Sequence, residues 1–339
     1  MTGPLPAALA PLTVPASWLY RAAINHRNRR FDAGRNVEQI DRPVISVGNI
    51  TTGGTGKTPM VRHLARRLLD AGHRPVIAMR GYGARDGEPA DEQLEYEQTI
   101  ADVPVLARPD RVEALREFLP ARPDIDCVLL DDGFQHRRLH RDLDLVLIDA
   151  GRRTFSDRLL PAGHLREPLD SLARADAVLI TRAESLDAEL IERVQHHHGK
   201  PPLAWSRHVW RGLDVYRPPD FNHESVPLDR LEGMTLLAMI GTGHPTAVVE
   251  QFEAAGATVT ATIPARDHDP FDRPTRLLAR NMMDGLDAVA VTLKDWVKLR
   301  RFDDVQQWPI PVIVPRLEIE IFDGGDDLNR LLLDRVAGR

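Results

Sequence analysis

Residues Val44–Pro59, VISVGNITTGGTGKTP, constrain the chain more than any other stretch, because they read as a buried strand running straight into a phosphate-binding loop. Val44, Ile45 and Val47 supply the β-branched strand, and Gly53, Gly54 and Gly56 let the backbone turn its N–H groups toward an anion. Thr51, Thr52, Gly53, Gly54, Thr55 and Gly56 form the expected cradle. Lys57 reaches the β- and γ-phosphates of a nucleotide, and Thr58 opens the next helix with its hydroxyl placed to hold Mg²⁺. The pattern is the paired-glycine variant GGxGK[ST], since Thr51 stands where the strict G-x-x-x-x-G-K-[ST] form demands glycine. A glycine-rich βα turn followed by a chance lysine is the plainer alternative. Lysine usage argues against it: Lys57 is the only lysine before Lys200 in a chain that otherwise uses arginine, and a compact ammonium suits a phosphate site.

A chain of 339 residues is long for one core, so two domains are expected. The net charge of −6 argues against nucleic acid as a partner held by general electrostatics. The single cysteine, Cys127, rules out an intramolecular disulfide and reads as a buried core thiol of a cytoplasmic protein. No stretch approaches the roughly 20 apolar residues of a membrane-spanning helix, and the N-terminus lacks the order of a signal peptide. Ser17–Phe31 nevertheless places Trp18, Leu19, Ala22 and Ala23 near one face with Arg21, Arg27, Arg29 and Arg30 nearby. Such a helix either lies on an anionic membrane surface or packs its apolar stripe on the body of the domain.

Strands alternate with helices along most of the chain, which implies an α/β fold of the P-loop type with a mostly parallel sheet. Apolar strands are expected at Pro75–Met79, Val103–Leu106, Asp126–Asp132, Asp144–Asp149 and Asp176–Thr181, and a helix over Asp91–Ile100. The polar, glycine-rich segment Arg80–Glu92 follows the carboxyl end of a strand, where open α/β sheets build ligand sites. DCVLLDD ends an apolar strand in Asp131 and Asp132, the carboxylates expected to hold Mg²⁺. An N-cap or Asx-turn is the bland role for Asp132. His196, His197 and His198 have no ligand partner at metal spacing and read as a solvated helix end.

From Trp205 the pattern loosens, and prolines at 218, 219 and 227 suggest a linker. The expected organisation is an N-terminal domain over residues 1–206, a linker over 207–230 and a smaller α/β domain over 231–339. In that second domain Gly241 and Gly243 read equally as an anion loop or a plain turn. In RDHDPFD, Asp267 or Asp269 would orient His268 for proton transfer, against a capped surface turn as the alternative.

The ordered set SVGNITTGGTGKTP, RGYG, DDGFQHRRLHRD, PAGHLREP and VTLKDWVKL resembles the tetraacyldisaccharide 4′-kinase family of Gram-negative bacteria. The resemblance implies phosphoryl transfer from ATP, with Mg²⁺, to the 4′-hydroxyl of an acylated glucosamine disaccharide 1-phosphate at the cytoplasmic face of the inner membrane. It places the catalytic aspartate at Asp91, in EPADEQ where the family has a VGDEP-like segment. It places an assisting histidine at His268, in DHD where the family commonly has DHH. It further implies metal and nucleotide carboxylates at Asp131 and Asp132, with Gln135 and His136 beside them. The family's loop arginine falls on Arg166, which would stabilise charge or hold substrate phosphate, and the N-terminal helix is expected to touch the membrane. A GTPase of metallochaperone or targeting type would share the glycine loop, but it needs an N-K-x-D guanine motif, and Lys294 is followed directly by Asp295.

Overall fold

A computed structural model describes residues 10–82, 89–242, 245–265 and 269–338. They fall into two compact units, one drawn from residues 10–82, 99–208 and 319–338, the other from residues 89–98 and from the described part of 209–318.

In the first unit the strands are β1 (Val44–Gly48), β2 (Pro75–Met79), β3 (Val105–Ala107), β4 (Cys127–Asp131), β5 (Leu143–Asp149), β6 (Ala177–Thr181) and the first part of β7 (Ala204–Arg217). They lie in the order β3-β2-β4-β1-β5-β6-β7, every pair parallel. β1, β2, β4, β5 and β6 are buried along their whole length, as a parallel sheet with both faces covered requires. The chain leaves β1 past β4 to reach β2 and returns past β1 to reach β5, so the order reverses at β1. A crevice at the carboxyl ends of the strands follows from that topology.

Helices cover the sheet. α2 (Lys57–Asp70) buries Met60, Val61, Leu64, Ala65 and Leu68, a single stripe at helical spacing. α4 (Arg111–Phe118) starts where the Asp110 carboxylate accepts from Glu113 N at 3.1 Å. Helix α5 (Ala188–His198) ends in the three histidines, and here the expectation of a solvated end needs correction. His198 is buried, its ring nitrogens 3.1 Å from Lys200 O and 3.0 Å from Ala175 O, because two backbone carbonyls demand partners there.

The N-terminal helix α1 (Ala10–Asp32) inverts the usual polarity. Its buried positions are Thr13, Ser17, Ile24 and Asn28, while Leu12, Trp18 and Leu19 are 71%, 70% and 76% exposed. The apolar stripe therefore does not pack on the body of the unit. Among the described residues no helix is long and apolar enough to cross a membrane.

The second unit has β9 (Thr235–Ile240), β10 (Thr258–Pro264), β11 (Ala288–Ala290) and β12 (Val312–Asp323), with β10-β9-β11-β12 all parallel. The stretch 207–230 is not a linker. It carries the end of β7 and β8 (Asn222–Val226), an antiparallel hairpin in which Leu213 faces Val226 and Arg217 faces Asn222. Pro218 and Pro219 sit in the turn, where no ladder N–H is lost. Tyr216, Trp296, Phe271 and Met239 share one core there. α3 (Asp91–Thr99) belongs to this unit up to Gln98, whose side chain donates to Tyr216 Oη at 2.5 Å. The last helix, α6 (Gly325–Ala337), returns to the first unit and buries Leu328, Leu332 and Val336. The division thus differs from a cut along the sequence, because β7 and β12 each run from one unit into the other.

Candidate functional site

The glycine loop leaves β1 at Gly48 and enters α2 at Lys57. Gly56 caps the helix in the left-handed conformation, φ 82°, which a side chain would strain. The loop is held from below by buried side chains: Asn49 Nδ2 donates to Thr55 Oγ1 at 3.0 Å and to Thr51 Oγ1 at 3.4 Å. Thr52 N donates to His164 O at 2.8 Å, and its hydroxyl lies 3.0 Å from His164 Nδ1.

Arginines brace the loop carbonyls. Arg152 donates to Thr52 O at 2.7 Å and Arg182 to Gly54 O at 3.0 Å. Both also pair with Asp149, which ends β5, at 3.5 and 2.7 Å. The Thr181 hydroxyl, at the end of β6, donates to Thr55 O at 2.9 Å. With its carbonyls occupied in this way, the loop is left to present N–H groups, the polarity an anion needs.

The charged centre lies at the end of β4. Arg166 grips Asp132 with both guanidinium nitrogens, at 2.9 and 3.0 Å, and Lys57 Nζ stands 3.5 Å from the same carboxylate. Arg166 also donates to Gln135 Oε1, and Gln135 Nε2 donates to Asn49 O at 2.9 Å. Beneath them the buried Arg111 donates to Asp131 O at 3.0 Å and Asp132 O at 3.3 Å. Asp132 is in the left-handed region, φ 51°, a cost the clamp of arginines offsets. Burial pushes its carboxyl up, but Lys57, Arg166 and Arg111 outweigh that and hold it below the ordinary carboxylate range. His136 is driven down to about 3 by burial and by Arg111 and Arg141, so its ring is neutral.

The structure thus brings Lys57, Asp132, Arg166 and Gln135 to the glycine loop, with Asp131 buried at the end of β4, Thr58 on the first turn of α2 and His136 following Gln135. Asp91 opens α3 in the other unit, with Glu92 and Gln93 after it. His268 lies outside the described residues, as does Gly243. Gly241 N is taken by the buried Asp295 at 3.0 Å, so a carboxylate of the chain itself fills that turn. Asn49, Arg111, Asp149, Arg152, His164 and Thr181 were not singled out from the sequence as site residues. Asp149 and Thr181 carried a usable signal, each being a polar residue at the carboxyl end of an apolar strand.

Among the described residues no three His, Cys, Asp or Glu side chains gather around one point. The donors that Thr58, Asp131 and Asp132 offer are all oxygens, and they would need further oxygens from a ligand to complete a metal's coordination. Mg²⁺ fits such a set, since it commonly takes one or two carboxylates together with phosphate oxygens.

A family profile described as tetraacyldisaccharide-1-P 4′-kinase matches residues 9–337. The tetraacyldisaccharide 4′-kinase of Geobacter sulfurreducens is 36% identical over 308 residues, covering 86% of this chain and 84% of that protein. That of Francisella tularensis subsp. novicida is 30% identical over 326 residues, covering 91% and 95%. The crystal structure of "apo" form LpxK from Aquifex aeolicus in complex with ATP matches with a TM-score of 0.74 at 30% identity, covering 95% of this chain and 98% of that one.

Proposed function

The chain belongs to the tetraacyldisaccharide-1-phosphate 4′-kinase family, and from that premise we propose how its own residues carry the reaction. It is an ATP-dependent kinase that phosphorylates a tetraacyl disaccharide 1-phosphate in lipid A biosynthesis. The observation that carries the site reading is the convergence of Lys57 and Arg166 on Asp132 beside the glycine loop.

In this reading the Asp132 carboxylate occupies the two cations until nucleotide arrives. Phosphate oxygens offer Arg166 the same two-pronged geometry, so the γ-phosphate takes over Arg166 and Lys57 as it binds. The amides of Gly53, Gly54, Thr55 and Gly56 wrap the phosphate chain, Thr52 N being held by His164 O, and Arg152, Arg182 and Thr181 keep the loop carbonyls turned away from it. Thr58, Asp131 and Asp132 would hold Mg²⁺ carried by ATP, which supplies charge neutralisation on the phosphates. Gln135, tied to Asn49 and Arg166, keeps the arginine aligned, with the neutral His136 adding no competing charge.

Asp91 accepts the proton of the 4′-hydroxyl, assisted by His268. The hydroxyl oxygen forms its bond to the γ-phosphorus as the bond to the β-phosphate bridge breaks, releasing ADP. Lys57 and Arg166 neutralise charge on the transferred group, which is where most of the rate gain in such transfers originates. The test is transfer from ATP to the acylated acceptor in detergent micelles. Asp91→Asn is expected to lower kcat by about 10²–10⁴-fold with little change in the KM for ATP. Near-normal kcat would place the base elsewhere, with Asp132 next in line.

The acceptor is a lipid, and the exposed Leu12, Trp18 and Leu19 on α1 support peripheral contact with an anionic membrane, at the cytoplasmic face of the inner membrane where ATP is available. Trp18→Ser with Leu19→Ser is expected to abolish flotation with vesicles. Unchanged flotation would assign these side chains no membrane role.

A further inference from the structure

We propose that a cavity beside α1 seats the phosphate headgroup of an anionic membrane phospholipid, which deepens the reading of α1 as a peripheral membrane helix and rests on it. The cavity, about 240 Å³, lies between α1 and the segment 168–174, and its lining includes Arg21, Asn25, Arg29, Arg137, Ser171 and Arg174. Two carboxylates, Asp32 and Asp170, also line it, so four arginines leave an excess of positive charge.

The arginines differ in how firmly they are held. Arg137 is fixed from beneath, donating to Asn28 O at 3.0 Å and to Asp32 at 2.6 Å. Arg174 is fixed by the buried Glu167, at 2.6 and 3.1 Å, and lies 3.9 Å over the Phe134 ring. Arg21 and Arg29 are exposed; Arg21 reaches Asp170 only at 4.0 Å, and Arg29 has no ion pair among the described residues. The floor is therefore pre-set and the rim holds two cations whose charge is little compensated, the division of labour an incoming phosphate needs.

Position on the helix supplies the second argument. Trp18, Arg21, Asn25 and Arg29 follow one another at helical spacing, so the cavity stripe begins at an exposed tryptophan. Leu19 and Leu12 continue the apolar face away from it. A phospholipid whose phosphate enters the cavity has its chains beside Trp18 and Leu19, whereas a free phosphate would leave that face unused. The apolar face and the charge excess together specify a lipid headgroup.

The test uses the full chain and flotation with phosphatidylcholine vesicles, with or without phosphatidylglycerol. Arg21→Gln with Arg29→Gln is compared with Arg30→Gln and Arg35→Gln, which removes equal charge from exposed positions outside the cavity. The cavity pair is expected to lose about tenfold more affinity for phosphatidylglycerol vesicles than the control pair, as loss of charge-assisted phosphate contacts implies. Glycerol 3-phosphate is expected to displace the wild type from these vesicles more than chloride at equal ionic strength. Equal losses in the two pairs would reduce the effect to general attraction and overturn the proposal while leaving membrane binding intact. Absence of wild-type flotation on any vesicle would overturn the membrane reading itself. A raised KM for the acylated substrate in neutral micelles would assign the cavity to the substrate's own phosphate, which also overturns it.

Discussion

Gly48 ends β1 directly beneath the segment that carries Asp132, and a methyl group there has nowhere to go. A Cβ on Gly48 would stand 2.5 Å from Phe134 Cβ and 2.7 Å from Phe134 N. Ordinary contact begins near 3.4 Å, so the two segments must separate by about 0.9 Å. Neither side yields easily: β1 is flanked by β4 and β5, and Phe134 is fully buried under the Arg174 guanidinium. Overpacking of this kind costs about 1–3 kcal/mol. At roughly 2–4 °C per kcal/mol for a unit of this size, Gly48→Ala should lower Tm by a few degrees up to about 12 °C. The functional loss should be larger than the stability loss suggests. Gln135 follows Phe134 directly and Asp132 lies two residues before it, and a displacement near 1 Å of groups that position a reacting phosphate costs on the order of 10²-fold in rate. Transfer from ATP to the acylated acceptor, measured below the Tm of the variant, is the assay. A lowered Tm with kcat near wild type would refute the claim that the 131–135 segment must be held in register with the glycine loop.

Lys57→Ala should abolish transfer while leaving a folded protein, because Asp132 keeps its two bonds to Arg166 when the ammonium is removed; turnover with saturating ATP in a variant of unchanged circular dichroism would overturn this. Gly54 has open space around it, its added Cβ meeting only Arg182 Nη2 at 3.9 Å, so Gly54→Ala should keep the Tm of the free protein but lose the rise in Tm that ATP confers on the wild type. Glu167 is fully buried against Asn28 and the partly buried Arg174 and Arg27, so Glu167→Ala should cost about 1–3 kcal/mol in urea unfolding by removing the acceptor that Arg174 and Asn28 share. Burial raises the Glu167 carboxyl, but Arg174 first and then Asn28 and Arg27 bring it below its ordinary 4.5. Its stabilisation is therefore complete above that value and is lost as pH falls through the depressed one, a dependence that Glu167→Gln should flatten.

The parts of this protein that the sequence determined by itself are those whose physics is local. A β-branched run, paired glycines and a lone lysine specify a strand, a turn with positive φ and an anion-facing helix start without help from distant residues. The same holds for the apolar strands ending in Asp131, Asp149 and Thr181, whose buried character follows from composition alone. Long-range proximity is another matter. That Arg166 reaches across to Asp132, that Arg152 and Arg182 meet at Asp149 beneath the loop, and that Asn49 ties Thr51 to Thr55 depend on which strands neighbour β1, and no periodicity encodes that order. The stretch 207–230 misled for a related reason: prolines weaken a strand signal, yet at 218 and 219 they occupy a hairpin turn. Most instructive is α1, whose residues on paper allow either face to pack. Only the tertiary structure settles the choice, because the body of the unit offers Glu167 to Asn28 Nδ2, Arg137 to the Asn28 carbonyl and the Arg166 carbonyl to Tyr20 Oη, leaving Trp18 and Leu19 outside.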